Sequence, residues 1–399
     1  MPAGADADLA LRLAKALVDL YAQAEADLLD AVARRVARGI DQPGWAEAKL
    51  AEITQLRTQA EARLAQLQAD LEPAVRALIG DAHAAGVAQA DADLRTIGIN
   101  TGFGRTNTAV VDTYVRQAVT NLEGTHLRIF RATIDAYRDA VVSDAGQVAA
   151  GTATRREVSQ RILDRFARQG ITGFVDKAGR NWQLDTYAEM TARTAAGRAQ
   201  VQGALDRYQA AGKDLVIVSD APEECPICRP WEGKVLSISG RTPTGTKDGS
   251  IAVSGTVSEA VGAGLQHANC RHRLGLYVPG LTRPMHGTED PSGSQIRQEQ
   301  RMLEREKRKM LRMQSAALDD ETRASYRSGI TAMNRQLKLI TDDRHAYAVQ
   351  RAQFWRNPPF SSHPKAKANA ARWDRVAADI PSGTRGKRLR YREVVGSAH

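Results

Sequence analysis

Cys225-Pro226-Ile227-Cys228 and, further along, His267-Ala268-Asn269-Cys270-Arg271-His272 hold all three cysteines of a 399-residue chain. One turn presenting two thiolates and a second presenting a thiolate and an imidazole supply the four ligands of a tetrahedral Zn2+ site. Cys225, Cys228 and Cys270 provide the sulfurs. His267, which repeats the two-residue spacing, is the first expectation for the fourth ligand, and His272, directly after Arg271, is the alternative. Four protein ligands leave no open position, so such a zinc is structural and fixes the loops that hold it. Two other readings stay open: reduced cysteines that pack in a core, and a Cys225/Cys228 redox pair. Redox chemistry suits a βαβ setting, whereas Pro230, Trp231 and Gly233 follow this motif. An odd number of thiols also disfavours a secreted disulfide framework.

Catalytic zinc needs more than these residues offer. Glu224 stands where a deaminase motif has proline, and His126 is followed by Leu127 and Arg128 instead of the x-Glu that would shuttle a proton. His-Glu-x-x-His and Gly-x-Ser-x-Gly are absent from the sequence. The expectation is a protein that is not an enzyme.

Outward from the cluster, apolar residues alternate with the period of strands on one side and helices on the other. Leu215-Val216-Ile217-Val218 predicts a buried strand, with further strands at Lys234–Ile238 and Arg273–Val278. Upstream, Gly170 to Leu184 predicts two short strands around a turn, and Asp185 is placed to cap the helix that follows. Thr154 and Glu157 form a capping-box pattern before Val158, Ile162 and Phe166. Earlier still, two apolar stripes, from Leu9 to Leu28 and from Ile53 to Leu78, are separated by Pro43-Gly44 and predict an antiparallel helical hairpin. Its seam suits packing within the chain, or with a sister subunit in a homo-oligomer. A further helix is expected from Thr108 to Val142. The glycine-rich run from Gly98 to Gly104 is not followed by Gly-Lys-Ser/Thr and reads as a loop rather than a phosphate cradle.

The expected fold class is α+β: a helical region (1–149), a central α+β module with the Cys/His cluster (150–280), a linker (281–294), basic helices (295–357) and an extended basic tail (358–399). For the basic helices, one helix is predicted from about Ser294 to Gln314 and one from Asp320 to Phe354. A hydrophobic content of 42% allows more than one core. No apolar run approaches the roughly 18 residues of a membrane span, and the first ten residues lack the basic-then-apolar order of a leader, so synthesis in the cytosol without membrane insertion is expected.

The net charge of +10 is unevenly placed. From Gln295 to His399 there are 23 Lys/Arg against 11 Asp/Glu, while the first 294 residues carry 33 against 35. A basic segment on a near-neutral body predicts a polyanionic neighbour, DNA or an acidic protein surface, with a solvated helix face as the plain alternative. Arg305, Lys307, Arg308, Lys309, Arg385, Lys387, Arg388, Arg390 and Arg392 are the candidate DNA contacts.

The order Arg193-Thr194, strand Val216–Ser219, Cys225-Pro226-x-Cys228, Trp231-x-Gly233-Lys234-Val235, then His267-x-Asn269-Cys270-Arg271-His272 resembles phage minor capsid protein 2 and the related Mu protein F-like head morphogenesis proteins. The resemblance covers roughly residues 150–280. It implies a virion protein of a tailed bacteriophage, present in few copies in the head near the portal and acting in assembly or in the passage of DNA, with the portal or major capsid protein as partner; the basic segment from Gln295 onward lies outside the matched part, and packaged DNA as its neighbour is expected from its charge alone. Some relatives carry ADP-ribosyltransferase-like or toxin domains, which keeps an enzyme delivered with the genome as the alternative. Arg193 is the residue it would offer to a dinucleotide, but no Glu-x-Glu or Gln-x-Glu partner accompanies it.

Overall fold

A computed structural model describes residues 9–100, 107–142, 153–169, 174–175, 181–182, 184–220, 227–248, 251–268, 270–283 and 291–384. Its elements confirm the α+β class. The helical part begins with α1 (Leu9–Ala37), the short α2 (Trp45–Ala51), α3 (Ile53–Thr96), α4 (Thr108–Val142) and α5 (Arg155–Gln169). Then come the paired strands β1 (Phe174–Val175) and β2 (Asn181–Trp182) and the helix α6 (Leu184–Ala210). The capping box before α5 forms, with the Thr154 amide donating to Glu157 at 2.8 Å and the Glu157 amide to Thr154 Oγ1 at 3.2 Å.

The stripes of α1 and α3 close on each other as the sequence pattern demands. Leu17, Leu28, Leu56, Leu67 and Leu71 are buried in one core, to which α4, α5 and the first half of α6 add Val115, Leu122, Leu163 and Ala192. The crossing of α3 and α6 is closer than side chains allow. A Cβ on Gly86 would lie 1.9 Å from the Gln200 carbonyl oxygen, and one on Gly203 would lie 2.3 Å from that of His83. Both glycines are therefore contacts between backbones.

The central sheet contains β3 (Leu215–Val218), β4 (Val235–Ser237), β5 (Lys247–Asp248), β6 (Ile251–Thr256) and β7 (Leu274–Leu276), in the order β5-β6-β4-β3-β7. Among the described residues only the β4/β6 pair of this sheet is parallel. Strand alternation divides the residues between faces. Val216, Val218, Leu236, Leu274 and Leu276 pack against Ala90 and Leu94 of α3 and Leu205 and Tyr208 of α6, whereas Leu215, Val235, Val253 and Tyr277 form a smaller cluster. The sequence pattern had not revealed β5, β6 or the short α7 (Val257–Gly262), although Thr256-x-x-Glu259 is a complete capping box.

Beyond the sheet, α8 (Pro291–Ser315) runs back onto the first core, and α9 (Asp320–Asp342), α10 (Arg344–Arg356) and α11 (Ala366–Asp379) close a third core around Ile296, Leu303, Ile340, Tyr347 and Trp373. Three sequence expectations change here. The helix predicted from Asp320 to Phe354 is two helices, because Asp343 adopts an extended backbone and its side chain accepts the Ala346 amide at 3.0 Å, capping α10. The tail predicted as extended from residue 358 contains α11, which buries Ala366, Ala370, Trp373 and Val376 on one face. Asp185 is not the cap of α6; it lies in the first turn, 1% exposed, and is ion-paired to α8. No helix among the described residues is long and apolar enough to cross a membrane.

Candidate metal centre

Sheet topology brings the two ligand-bearing turns together. β3 lies between β4 and β7 and runs antiparallel to both, so its C-terminal end adjoins the start of each neighbour. The Gly233 amide donates to the Val218 carbonyl at 3.0 Å, and the Ser219 amide to that of Arg273 at 2.9 Å. Cys228 immediately precedes the 3-10 turn Arg229–Trp231 leading into β4, and Cys270 and His272 precede β7. Gly233 takes a φ of 69°, a conformation that suits glycine and turns the chain from the knuckle into the strand.

At that end of the sheet Cys228 Sγ lies 3.6 Å from Cys270 Sγ, and Cys270 Sγ lies 3.5 Å from His272 Nδ1. Among the described residues these three form the group able to hold a metal ion, with their ligand atoms all within 4.8 Å of one another. Cys228 and His272 are buried. His272 Nε2 donates to Glu232 Oε1 at 2.6 Å, which turns Nδ1 toward the sulfurs, the usual outer-shell arrangement of a ligating imidazole. Burial opposes ionisation of the Cys270 thiol, but the hydrogen bond and charge of His272 outweigh it and hold its pKa below the ordinary thiol value. His272 responds in the opposite sense: burial disfavours its cation, while Cys270 and Glu232 raise its pKa overall. The pair thus leans toward thiolate, the state in which sulfur binds metal.

The structure gathers His272 instead of the first-expected His267. His267 Nδ1 donates to its neighbour, the Ala268 carbonyl, at 2.7 Å, and its side chain is outside the group. The two-residue spacing that favoured it matters less than the direction of the chain, since entry into β7 points His272 at Cys270 and Glu232. Cys225 lies outside the described residues. Glu232 stands at the unspecified position of Trp231-x-Gly233, where spacing along the chain gives no sign of its contact with His272.

The candidate polyanion contacts divide. Arg305 is exposed on α8, and Lys309 is bound to Glu306 of its own helix at 2.9 Å. Lys307 is partly buried. Arg308, also a candidate DNA contact, turns inward, with Nε 2.7 Å from Asp185 and Nη2 3.1 Å from Glu189. Next to it Arg312, 4% exposed, reaches Asp185 at 3.2 Å and the Ala167 carbonyl at 3.0 Å. The basic face of α8 is therefore partly an internal ion-pair face. Arg385, Lys387, Arg388, Arg390 and Arg392 lie outside the described residues. Arg193, the residue an enzymatic reading would use, is paired with Glu189 at 3.4 Å.

The family model described as phage minor capsid protein 2 matches residues 7–341, which takes in the helical core, the sheet with its Cys/His group, and α8 and α9. No curated protein and no solved structure matches the chain.

Proposed function

The chain belongs to the phage minor capsid protein 2 family, and on that premise we propose that it sits in the phage head beside the portal or major capsid protein, with its sheet module fastened by a structural zinc. The extent of the family match, running continuously through all but the last part of the chain, carries the virion reading. Donor chemistry supports the zinc. With Zn–S of about 2.3 Å and Zn–N of about 2.0–2.1 Å, a tetrahedron has edges of about 3.8 Å between sulfurs and about 3.6 Å between sulfur and nitrogen. The distances of 3.6 Å for Cys228 to Cys270 and 3.5 Å for Cys270 to His272 fit those edges. The C-x2-C spacing assigns Cys225 as the fourth ligand.

Its role there would be to tie the start of β4 to the start of β7, so that the module presents a fixed surface to its neighbours. The basic C-terminal segment, through Arg305 and the run from Arg385 to Arg392, would meet packaged DNA. Protein purified under reducing conditions should carry about one zinc per chain by elemental analysis, as a closed four-ligand site demands, and Cys228→Ser should lose it. Cross-linking within purified particles should join the chain to the portal or major capsid protein. Particles lacking the chain, or a fully folded metal-free wild type, would refute the corresponding half. A gel shift with duplex DNA should weaken steeply between low and moderate salt, since phosphate contacts release counterions.

A further inference from the structure

β4 and β7 each pair with β3 and not with each other, so their axes lie two strand spacings apart, roughly 9.5 Å. Beyond the end of β3 the residues leading into them meet through sulfur. Cys228 Sγ and Cys270 Sγ, 42 positions apart in the chain, face each other at 3.6 Å. Both are held by their own backbones: the Cys228 carbonyl accepts the Trp231 amide at 2.9 Å, and the Cys270 amide donates to the His267 carbonyl at 3.0 Å. A disulfide sets its sulfurs about 2.05 Å apart, so side-chain rotation that closes about 1.5 Å would join these two. Cys228 is buried and Cys270 partly exposed. An oxidant from solvent therefore meets Cys270 first, with the Cys228 sulfur already beside it.

We propose that Cys228 and Cys270 form a disulfide under oxidising conditions, which replaces the metal as the tie between the starts of β4 and β7. The exchange rests on the reading of the Cys/His group as a metal site; the pairing of the two sulfurs does not. With a peroxide as oxidant, the Cys270 thiolate attacks one oxygen, the O–O bond breaks, and a sulfenic acid and a hydroxide ion form. The Cys228 thiolate then attacks the Cys270 sulfur, and the S–S bond forms as the S–O bond breaks and a second hydroxide leaves. Two electrons pass from the sulfurs to the peroxide. The metal, keeping only His272 and Cys225, is released, since it binds thiolates and not a disulfide. A phage particle leaving its host passes from reducing to oxidising surroundings, where disulfides persist, and the module would keep its tie in both.

Full-length protein purified with reductant, freed of it and treated with hydrogen peroxide should show a Cys228–Cys270 link by tandem mass spectrometry after thiol blocking, with Cys225 blocked. Zinc released to a chromogenic chelator should rise in step with that link, and dithiothreitol with added zinc should reverse both. The oxidised, metal-free chain should melt several degrees above the reduced chain stripped by a chelator, because the link closes a long loop in the unfolded state. Cys225→Ser should still form the link. A link from Cys228 to Cys225, a link between chains, or Cys270 oxidised to sulfinic acid beside an unreacted Cys228 would overturn the proposal. Zinc-loaded protein that keeps its metal at peroxide levels that link the stripped form would overturn the exchange and leave the metal reading standing. The same link in a chain that never held metal would support the sulfur pair and refute the metal reading.

Discussion

At the scale of single residues, the consequential side chains are acids that hold another group in position. Glu232 accepts from Nε2 of His272 and so fixes which nitrogen of that ring faces the sulfurs. Glu232→Gln should therefore keep the fold and weaken metal binding by about 10- to 100-fold in competition with a chelator, the usual scale for an outer-shell partner. An unchanged affinity would show that Cys270 alone orients the ring. Asp185 plays the corresponding part between helices. Its burial opposes ionisation, but Arg308, Arg312 and the Thr186 amide outweigh that and depress its pKa below 3.8. A depressed folded-state value means that the stabilisation is present above the unfolded pKa and disappears as pH falls through the folded one. Asp185→Asn, which leaves the buried Arg312 with Glu25 as its remaining described charge partner, should cost up to about 3–5 kcal/mol at pH 7 by denaturant unfolding. That difference should persist down to about pH 5 and shrink as the medium is acidified below the unfolded value.

At the scale of elements, two helix contacts show how differently helices can be joined. The α3/α6 crossing is made by backbone against backbone at Gly86 and Gly203. An alanine there gains up to about 1 kcal/mol of helix propensity, but its methyl must drive the helices apart, and overpacking of this kind costs about 1–3 kcal/mol or more. Gly203→Ala should thus lower stability, whereas Gly124→Ala, where an added Cβ meets nothing within 4 Å, should raise it slightly. Equal effects in thermal unfolding would contradict the close crossing. By contrast, α8 is joined to α1 and α6 through charge, with Arg312 reaching both Glu25 and Asp185. Charge-rich helices are usually solvated, and only the opposing acids reveal that this face is internal.

At the scale of the molecule, α8 and α9 bind the chain together, since α8 contributes Met313 to the first core and Ile296 and Leu303 to the third. The third core continues past the end of the family match at residue 341 into α10 and α11. A chain ending at residue 342 would uncover Ile296, Leu303 and Ile340, and should self-associate by light scattering at concentrations where the full chain does not. A chain ending at residue 384 keeps that core and should match the full chain. Similar behaviour of the two truncations would mean that α10 and α11 are dispensable to the fold.

Local signals in the sequence sufficed for much of this architecture. The periodic stripes of α1 and α3, the capping box of α5, the run Leu215–Val218 and the ordered Cys/His motifs each depend on residues near one another in the chain, and they delivered the α+β class and the family. The short strands β5 and β6 and the helix α11 were harder to read, because their apolar residues are few and gain meaning only against a partner surface. The choice of His272 over His267, the role of Glu232, and the inward turn of Arg308 and Arg312 were decided by tertiary structure alone. Spacing along a chain says which ligands and charges are available, but coordination and ion pairing depend on direction and distance, which here are set by strands meeting at one end of a sheet and by helices from opposite ends of the chain.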